Sequence, residues 1–154
     1  MFKIITVHTE TEYAAAAALF KEYAEWLNID LSFQNFEEEL LQLKEMYGEP
    51  DGAIFLLQQN DEFIGCVAIR KKENDIAELK RMYIKPAIRN TGGGTMLLEK
   101  ALDAAKLLGY KKIRLDTLAK MTPAINLYKK NGFYEIAPYY FNPENNAVFF
   151  EKEL

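Results

Sequence analysis

The residues best suited to chemistry lie in a loop where an arginine precedes three consecutive glycines, at positions 92–94. Arg89 offers a guanidinium that can hold two phosphate oxygens at once, and glycines let backbone N–H groups come close to a ligand. A long amphipathic pattern begins at Thr95, so the loop would face the positive end of a helix dipole. The combination indicates a pyrophosphate cradle. The alternative is a flexible connector that needs glycine for its conformational freedom.

Two familiar nucleotide-binding patterns fit this loop poorly. The dinucleotide fingerprint Gly-x-Gly-x-x-Gly fails because Leu97 stands where its third glycine belongs. The triphosphate-binding pattern needs Gly-Lys followed by Ser or Thr, and the sequence contains no such triplet. NAD and nucleoside triphosphates are therefore weak candidates for the ligand of the loop.

Hydrophobic spacing predicts the elements that come before the loop. A β-branched segment over 2–8 predicts a strand, and Thr9 with Glu12 has the spacing of a helix-capping box. The alanine-rich segment that follows predicts a helix reaching Leu27. A second helix is predicted over 35–48, with glutamates in its first turn where the helix dipole favours acids.

The spacing of apolar residues then changes, and three strands are predicted in a row over 53–59, 62–70 and 76–85. Pro86 closes the third strand because proline cannot donate to a strand ladder. The remaining predicted elements are a helix over 95–108, a strand over 112–118, a helix capped by Thr122, and strands over 133–137 and 147–152.

The predicted order is β α α β β β α β α β β, which indicates a mixed α/β fold in a single domain over residues 1–154. One strand–helix–strand unit, from 76–84 through 95–108 to 113–118, is expected to cross over with a right hand. Helices on both faces of the sheet are the economical arrangement.

Composition narrows the class of protein. The 154 residues include 23 acidic residues and 19 Lys or Arg residues, and the resulting net charge of −4 disfavours nucleic-acid binding. The single cysteine, Cys66, excludes an intrachain disulfide, and the single histidine, His8, excludes a multi-histidine metal site. No apolar run approaches about 20 residues and no signal peptide is evident, so we expect a cytoplasmic protein without a membrane segment.

Two motifs resemble those of the GNAT superfamily of N-acetyltransferases. Arg89-x-x-Gly92-x-Gly94, which follows Met82-Tyr83-Ile84, is similar to the acyl-CoA motif of that family. The segment Ala124-Ile125-Asn126-Leu127-Tyr128-Lys129-Lys130-Asn131-Gly132-Phe133 is similar to its Ala-x-x-Leu-Tyr-x-x-x-Gly-Phe motif. The resemblance covers nearly the whole chain. It implies a central, mixed, mostly antiparallel seven-stranded sheet flanked by helices, and acetyl-CoA as co-substrate.

The resemblance assigns the coenzyme to a gap beside a bulged strand. It implies that the strand over 76–84 splays from its parallel neighbour, and the apolar phase agrees with a bulge, being odd at Leu79 but even at Met82 and Ile84. It further implies that the Met82 N–H faces the thioester carbonyl and that backbone groups of Tyr83 and Ile84 bind pantetheine. The residues that it assigns to the pyrophosphate are Arg89, Asn90, Thr91, Gly92, Gly93, Gly94 and Thr95.

The same resemblance implies one catalytic group, and the need to deprotonate the amine suggests a second on the strand near the splay. Tyr128 would protonate the departing CoA thiolate, and the alternative is a tyrosine that only packs on the sheet. Glu78 is the candidate base for the proton of the amine, and the alternative is an ordinary exposed strand residue. Asp116, on the neighbouring strand, is a second candidate base. Met121 stands where many members carry an asparagine that contacts the coenzyme, so that contact is not carried over.

The acceptor site is less readable from the sequence. Tyr139 and Tyr140, in the aromatic segment 138–143, are predicted to line or cap the acceptor pocket. Trp26, Ile29 and Phe33, at the first helix–helix junction, are predicted to form the opposite wall, since that junction often shapes the acceptor site in the family. Peripheral core packing or a dimer contact explains both groups equally well.

The resulting prediction is an acyltransferase that moves an acetyl group from acetyl-CoA to a primary amine by direct attack in a ternary complex. Neither a metal nor a covalent nucleophile is implied, since Cys66 lies in an apolar strand away from the loop. A small-molecule acceptor is favoured. The alternatives are a non-catalytic CoA-binding module and an acetyltransferase for a protein lysine or N-terminus. A homodimer is compatible with the resemblance.

Overall fold

The computed structural model describes the backbone of residues 1–154 and every side chain except that of Phe33. None of the described helices is both long and apolar enough to cross a membrane. The elements, in chain order, are β1 (Lys3–Thr6), α1 (Glu10–Leu27), α2 (Phe36–Leu41), α3 (Leu43–Tyr47), β2 (Ala53–Gln59), β3 (Glu62–Glu73), β4 (Ile76–Ile84), α4 (Gly93–Leu107), β5 (Lys112–Leu118), α5 (Thr122–Lys130), β6 (Tyr134–Ile136) and β7 (Ala147–Glu153).

The seven strands form one sheet in the order β1-β2-β3-β4-β5-β7-β6. Along the described sheet, neighbouring strands are antiparallel except β4 and β5, which are parallel and are joined through α4. This arrangement confirms the predicted mixed, mostly antiparallel sheet.

Both faces of the sheet are covered by helices. On β2, Phe55 and Leu57 belong to the same buried cluster as the apolar side chains of α4. Ile54 and Leu56 belong to a second cluster, together with the apolar side chains of α1 and α3. Because successive side chains of a strand point to opposite faces, a strand buried on both faces reads as the continuous apolar run seen in β2.

The first helix begins with the predicted capping box. The Oγ1 of Thr9 accepts a hydrogen bond from the Glu12 N–H at 3.1 Å, and Glu12 Oε1 accepts one from the Thr9 N–H at 2.9 Å. These two bonds satisfy backbone donors that a helix start otherwise leaves unpaired. The helix ends at Leu27, as predicted.

Three predicted helix boundaries were wrong. The helix over 35–48 is divided into α2 and α3 at Gln42, whose φ of −129° lies outside the helical region. Helix α4 begins at Gly93 and not at Thr95, and α5 begins at Thr122 with Met121 in the capping position. Glycine and proline are tolerated in a first helical turn because the N–H groups there have no partner within the helix.

Strand β4 carries the expected bulge. Cys66 and Ala68 of β3 pair with Tyr83 and Lys80 of β4, so two residue steps on β3 face three on β4. The extra residue is Arg81, whose φ of 57° is left-handed. The described pairing between β4 and β5 ends at Glu78 and Arg114, and the two strands part beyond that point. The predicted bulge and splay are therefore confirmed.

A buried ion pair holds the bulge in place. Arg81 donates from Nε and Nη2 to the two carboxylate oxygens of Glu39 on α2, both at 2.8 Å, and both side chains are almost fully buried. Burial acts to lower the pKa of the Arg81 guanidinium, but the hydrogen bonds and charge of Glu39 outweigh it and raise that pKa. The thiol of Cys66 also donates to the Arg81 carbonyl at 3.2 Å.

We expect Glu39→Ala to lower the free energy of unfolding by about 3 to 5 kcal/mol, because it leaves a buried guanidinium without its partner. Glu37→Ala is the matched control, since Glu37 lies in the same helical turn but is exposed. The measurement is urea unfolding of the three proteins. Equal midpoints for Glu39→Ala and the control would contradict the role given to this ion pair.

Candidate active site

A cleft of about 410 Å³ runs along the open edge of β4. It brings the glycine-rich loop and Tyr128 to one place, although they lie far apart in the sequence. Its lining residues are Trp26, Met82, Tyr83, Ile84, Ile88, Arg89, Asn90, Gly92, Gly93, Gly94, Thr95, Lys120, Met121, Pro123, Ala124, Leu127 and Tyr128.

The N-terminus of α4 forms one wall of this cleft. Gly92 occupies the capping position with a φ of 93°, and none of the described side chains caps the helix. The Met96 N–H bonds to the Gly92 carbonyl at 3.1 Å, so the N–H groups of the preceding turn have no partner within the helix. Together with the helix dipole, such groups favour an anion. The loop therefore has the character of a phosphate site.

Arg89 adds a positive charge beside that helix end. Its Nε donates to the carbonyl of Ile84 at 3.1 Å, and its guanidinium lies 4.1 Å from the centre of the Trp26 ring. Trp26 therefore lies against Arg89 in this cleft, and its place in the wall of an acceptor pocket stays a prediction. Lys120 also lines the cleft, and sequence reasoning missed it because nothing in its neighbourhood marks a ligand.

Tyr128 is positioned by the way α5 ends. The Phe133 N–H bonds to the Tyr128 carbonyl at 3.0 Å and the Gly132 N–H to the Lys129 carbonyl at 3.1 Å, around Gly132 with a φ of 93°. This is a Schellman motif, a six-residue helix ending in which the first and last residues, five positions apart, also pack together. The rings of Tyr128 and Phe133 accordingly lie 5.6 Å apart. The Leu-Tyr-x-x-x-Gly-Phe spacing therefore ends α5 and fixes the position of Tyr128.

The Tyr128 hydroxyl is suited to donating a proton. The side chain is 6% exposed and lines both the cleft and a smaller cavity beside it. Burial, with smaller effects from Tyr23 and Asp116, raises the pKa of Tyr128 above its ordinary value. The phenol therefore stays protonated at neutral pH.

Glu78 does not line the cleft. It is 1% exposed, accepts hydrogen bonds from Arg70 Nε at 2.9 Å and from the Tyr139 hydroxyl at 2.7 Å, and forms an ion pair with Arg70. Burial acts to raise the pKa of Glu78, but the charges of Lys80 and Arg70 and the two hydrogen bonds outweigh it and lower that pKa. Both carboxylate oxygens are occupied, and this placement disfavours Glu78 as the base.

Asp116, the second candidate base, lies on β5 beyond the point where β4 and β5 part. It lines two small polar cavities of about 60 and 30 Å³ beyond the bulge, and the smaller of them is also lined by Met82 and Tyr128. Its Oδ2 accepts hydrogen bonds from the Tyr140 hydroxyl at 2.6 Å and from Asn142 Nδ2 at 3.0 Å. Its other oxygen is available to a ligand in these cavities.

The structure places the predicted acceptor residues in different surroundings. Tyr139 and Tyr140 bond to carboxylates of β4 and β5, and both rings pack edge-on against Phe149, so they brace the region where the strands part. The side chain of Phe33 lies outside the described residues. From the helix–helix junction, Ile29, which was predicted there, lines the cavity of about 60 Å³, together with Tyr23, Leu27, Leu31 and Gln34.

Comparison with known proteins decides the family. The family model described as Acetyltransferase (GNAT) family matches residues 4–133. The chain belongs to the GNAT family of acetyltransferases.

An uncharacterised N-acetyltransferase of Schizosaccharomyces pombe is 35% identical over 138 residues, covering 88% of this chain and 85% of its own. An acetyltransferase structure from Streptococcus agalactiae has a TM-score of 0.82 at 20% identity and covers 99% of this chain and 98% of its own. The PaiA N-acetyltransferase of Thermoplasma acidophilum, solved in complex with coenzyme A, has a TM-score of 0.76 at 17% identity over 100% of this chain and 99% of its own.

The most consequential residue of this acetyltransferase that sequence reasoning missed is Lys80. Its side chain is 7% exposed and lines both small cavities beside Asp116. The available signal was a pair of basic residues, Lys80 and Arg81, in the middle of the strand predicted over 76–85. Charged residues are seldom buried unless they are paired, so such a pair marks a special site.

Alanine substitutions at two adjacent positions of the glycine loop are expected to change stability in opposite ways. A methyl group at Gly93 would come within 2.5 Å of Leu57 Cδ2, whereas one at Gly94 meets ordinary contacts at 3.5 and 3.7 Å. We expect Gly93→Ala to lower the free energy of unfolding by about 1 to 3 kcal/mol through overpacking. We expect Gly94→Ala to leave it unchanged or higher, since alanine favours helix. Thermal or urea unfolding measures both, and a stable Gly93→Ala protein would contradict the close packing of α4 on β2.

Proposed function

We propose that the protein transfers the acetyl group of acetyl-CoA to the primary amine of a small molecule by direct attack in a ternary complex. The observation that carries the proposal is the single cleft shared by the uncapped N-terminus of α4 and the Tyr128 side chain. The coenzyme A complex of the PaiA neighbour supports the choice of ligand. Two small cavities, both lined by Asp116 and one of them also by Tyr128, support a small acceptor over a protein segment.

In this proposal the coenzyme lies along the open edge of β4. The diphosphate is bound by the N–H groups of Gly93, Gly94 and Thr95 and by Arg89. Tyr83 and Ile84 contact pantetheine where β4 lacks its β5 partner. The Met82 N–H donates to the thioester oxygen, which becomes an oxyanion during attack. One such donor can stabilise a transition state by roughly 3 kcal/mol.

The chemistry needs three proton movements. The neutral amine attacks the carbonyl carbon, and a tetrahedral oxyanion forms with a positive charge on the attacking nitrogen. The oxyanion collapses, the C–S bond breaks with the electron pair leaving on sulfur, and Tyr128 donates its phenolic proton to that sulfur. The nitrogen of the new amide loses its extra proton, which returns to the Tyr128 phenolate through water. Although burial weakens Tyr128 as an acid, burial in the same cleft also makes a thiolate more basic, so the two effects oppose each other.

The incoming ammonium must also lose a proton before it attacks. We propose that Asp116 holds the ammonium and receives that proton, directly or through water, because Asp116 and Tyr128 line the same cavity. Glu78 was the first candidate for this role, but its oxygens are bonded to Arg70 and Tyr139. Its part in the proposal is to anchor the Tyr139 segment.

The test of the acid separates binding from chemistry. Trp26 is the single tryptophan of the chain and borders the cleft, so its fluorescence should report CoA binding directly. We expect Tyr128→Phe to bind CoA within about threefold of wild type but to release thiol from acetyl-CoA about 100-fold or more slowly across an amine panel. Tyr13→Phe is the control, because Tyr13 packs against the hydrophobic cluster formed with α1 and α3 and does not line the cleft.

Three outcomes are informative. No binding of CoA to ligand-free protein, by fluorescence and by calorimetry, would refute the proposal. Binding without acetylation of any amine would support the alternative of a non-catalytic CoA-binding module. Full activity of Tyr128→Phe would remove the tyrosine from the mechanism.

The choice of base is tested by a matched pair of amides. We expect Asp116→Asn to lower kcat/KM about 100-fold or more, because general base catalysis contributes on that scale. We expect Glu78→Gln to act mainly on stability, since it weakens a buried ion pair. Both variants are compared at equal CoA saturation, judged by Trp26 fluorescence. A folded Glu78→Gln protein without activity, beside an active Asp116→Asn protein, would return the role to Glu78.

A further inference from the structure

Lys80 is a buried lysine at the point where β4 leaves β5. The pairing of those strands ends at Glu78, two residues earlier, and the bulge follows at Arg81. Its side chain borders both cavities that Asp116 lines and a third, larger cavity on the α2 side. No step of the proposed transfer uses it.

The ammonium of Lys80 has fewer partners than its chemistry requires. It carries three N–H donors, and the described contacts give it one acceptor, Gln34 Oε1 at 3.1 Å. Among the described side chains, no carboxylate oxygen lies within 4.0 Å of its nitrogen. The adjacent acid Glu78 is already bonded to Arg70 and Tyr139. A buried charge with donors to spare favours an anionic ligand beside it.

The electrostatics of the site agree with this geometry. Burial, helped by the positive charges of Arg81 and Arg70, lowers the pKa of Lys80 to about 8, against the opposing charges of Glu78 and Asp116. The side chain is therefore mostly cationic near pH 7, and an anion beside it would be attracted strongly because the surroundings are poor in water.

We infer that the acceptor carries a carboxylate as well as an amine, and that Lys80 binds this carboxylate while the amine faces Asp116. The inference rests on the proposed function and adds the class of acceptor, a small amino-acid-like zwitterion. Opposite charges on the two parted strands, at Lys80 and Asp116, match opposite charges on one small molecule. The two cavities that Lys80 and Asp116 share are small, about 60 and 30 Å³, in keeping with a small acceptor.

A structural role for Lys80 predicts a different response to mutation. If the lysine serves the fold, Lys80→Met destabilises the protein. If Lys80 instead serves to bind an anion, the burial of its charge destabilises the free protein. Lys80→Met then leaves the free energy of unfolding equal or higher. Urea unfolding without ligand distinguishes these cases.

The decisive experiment compares acids with amides by calorimetry on CoA-saturated protein. The probes are the common α-amino acids, each beside its own primary amide, which keeps the amine and removes the negative charge. We expect at least one amino acid to bind at least tenfold more tightly than its amide. Lys80→Met should abolish that preference, whereas Lys71→Met should keep it, because Lys71 is an exposed lysine of the neighbouring strand.

Each outcome bears on a defined claim. Equal binding of acids and amides, no binding of either, or a preference that survives Lys80→Met would overturn the inference. Acetylation of uncharged amines as fast as of amino acids would overturn it too, while leaving acetyl transfer intact. A Lys80-dependent preference without any acetyl transfer would uphold the carboxylate site and refute the proposed function instead.

Discussion

The structure depends on one extra residue in the fourth strand. Arg81 takes a left-handed conformation, and its side chain turns away to a buried, two-point contact with Glu39 on α2. Without that anchor the strand could continue its ladder with β5 through the sheet centre. With it, the strands part after Glu78, and the residues on either side of the bulge face different spaces. Lys80 borders the small polar cavities, and Met82 also reaches the long cleft.

Two helix ends, the start of α4 and the end of α5, place polar groups beside the gap between β4 and β5. Gly92 starts α4 without a side-chain cap among the described residues, which leaves backbone donors for an anion. Gly132 ends α5 through a Schellman motif that fixes Tyr128 against Phe133. Both glycines have a φ of 93°, a conformation that other residues adopt only with strain. The two glycine-containing motifs are therefore helix-boundary signals that place backbone N–H groups and the Tyr128 side chain at one cleft.

Local patterns predicted most of the fold. The capping box at Thr9 and the strands of the sheet follow from spacing within short segments, and both were confirmed. The bulge in β4 was implied by the family resemblance, agreed with the local apolar phase, and was also confirmed. The charges of the site could not be read in this way, because their partners come from distant segments. Glu78 is held by Arg70 and Tyr139, and Trp26 stacks on Arg89, through contacts that no local spacing encodes. The glycine loop and Tyr128 were recognisable because their motifs are local.

Selectivity in such a site must come from the placement of charges and not from their sum. The chain carries a net charge of −4, which would attract a cationic amine but has no preference for a zwitterion of zero net charge. Most buried charges near the gap are already neutralised in pairs, Arg81 with Glu39 and Arg70 with Glu78. What remains for a ligand is one cation and one carboxylate on opposite strands. A molecule that carries both charges forms hydrogen bonds with both Lys80 and Asp116. A molecule with the amine alone leaves the buried ammonium of Lys80 without an anion. That penalty is the basis on which the site would discriminate between the two kinds of acceptor.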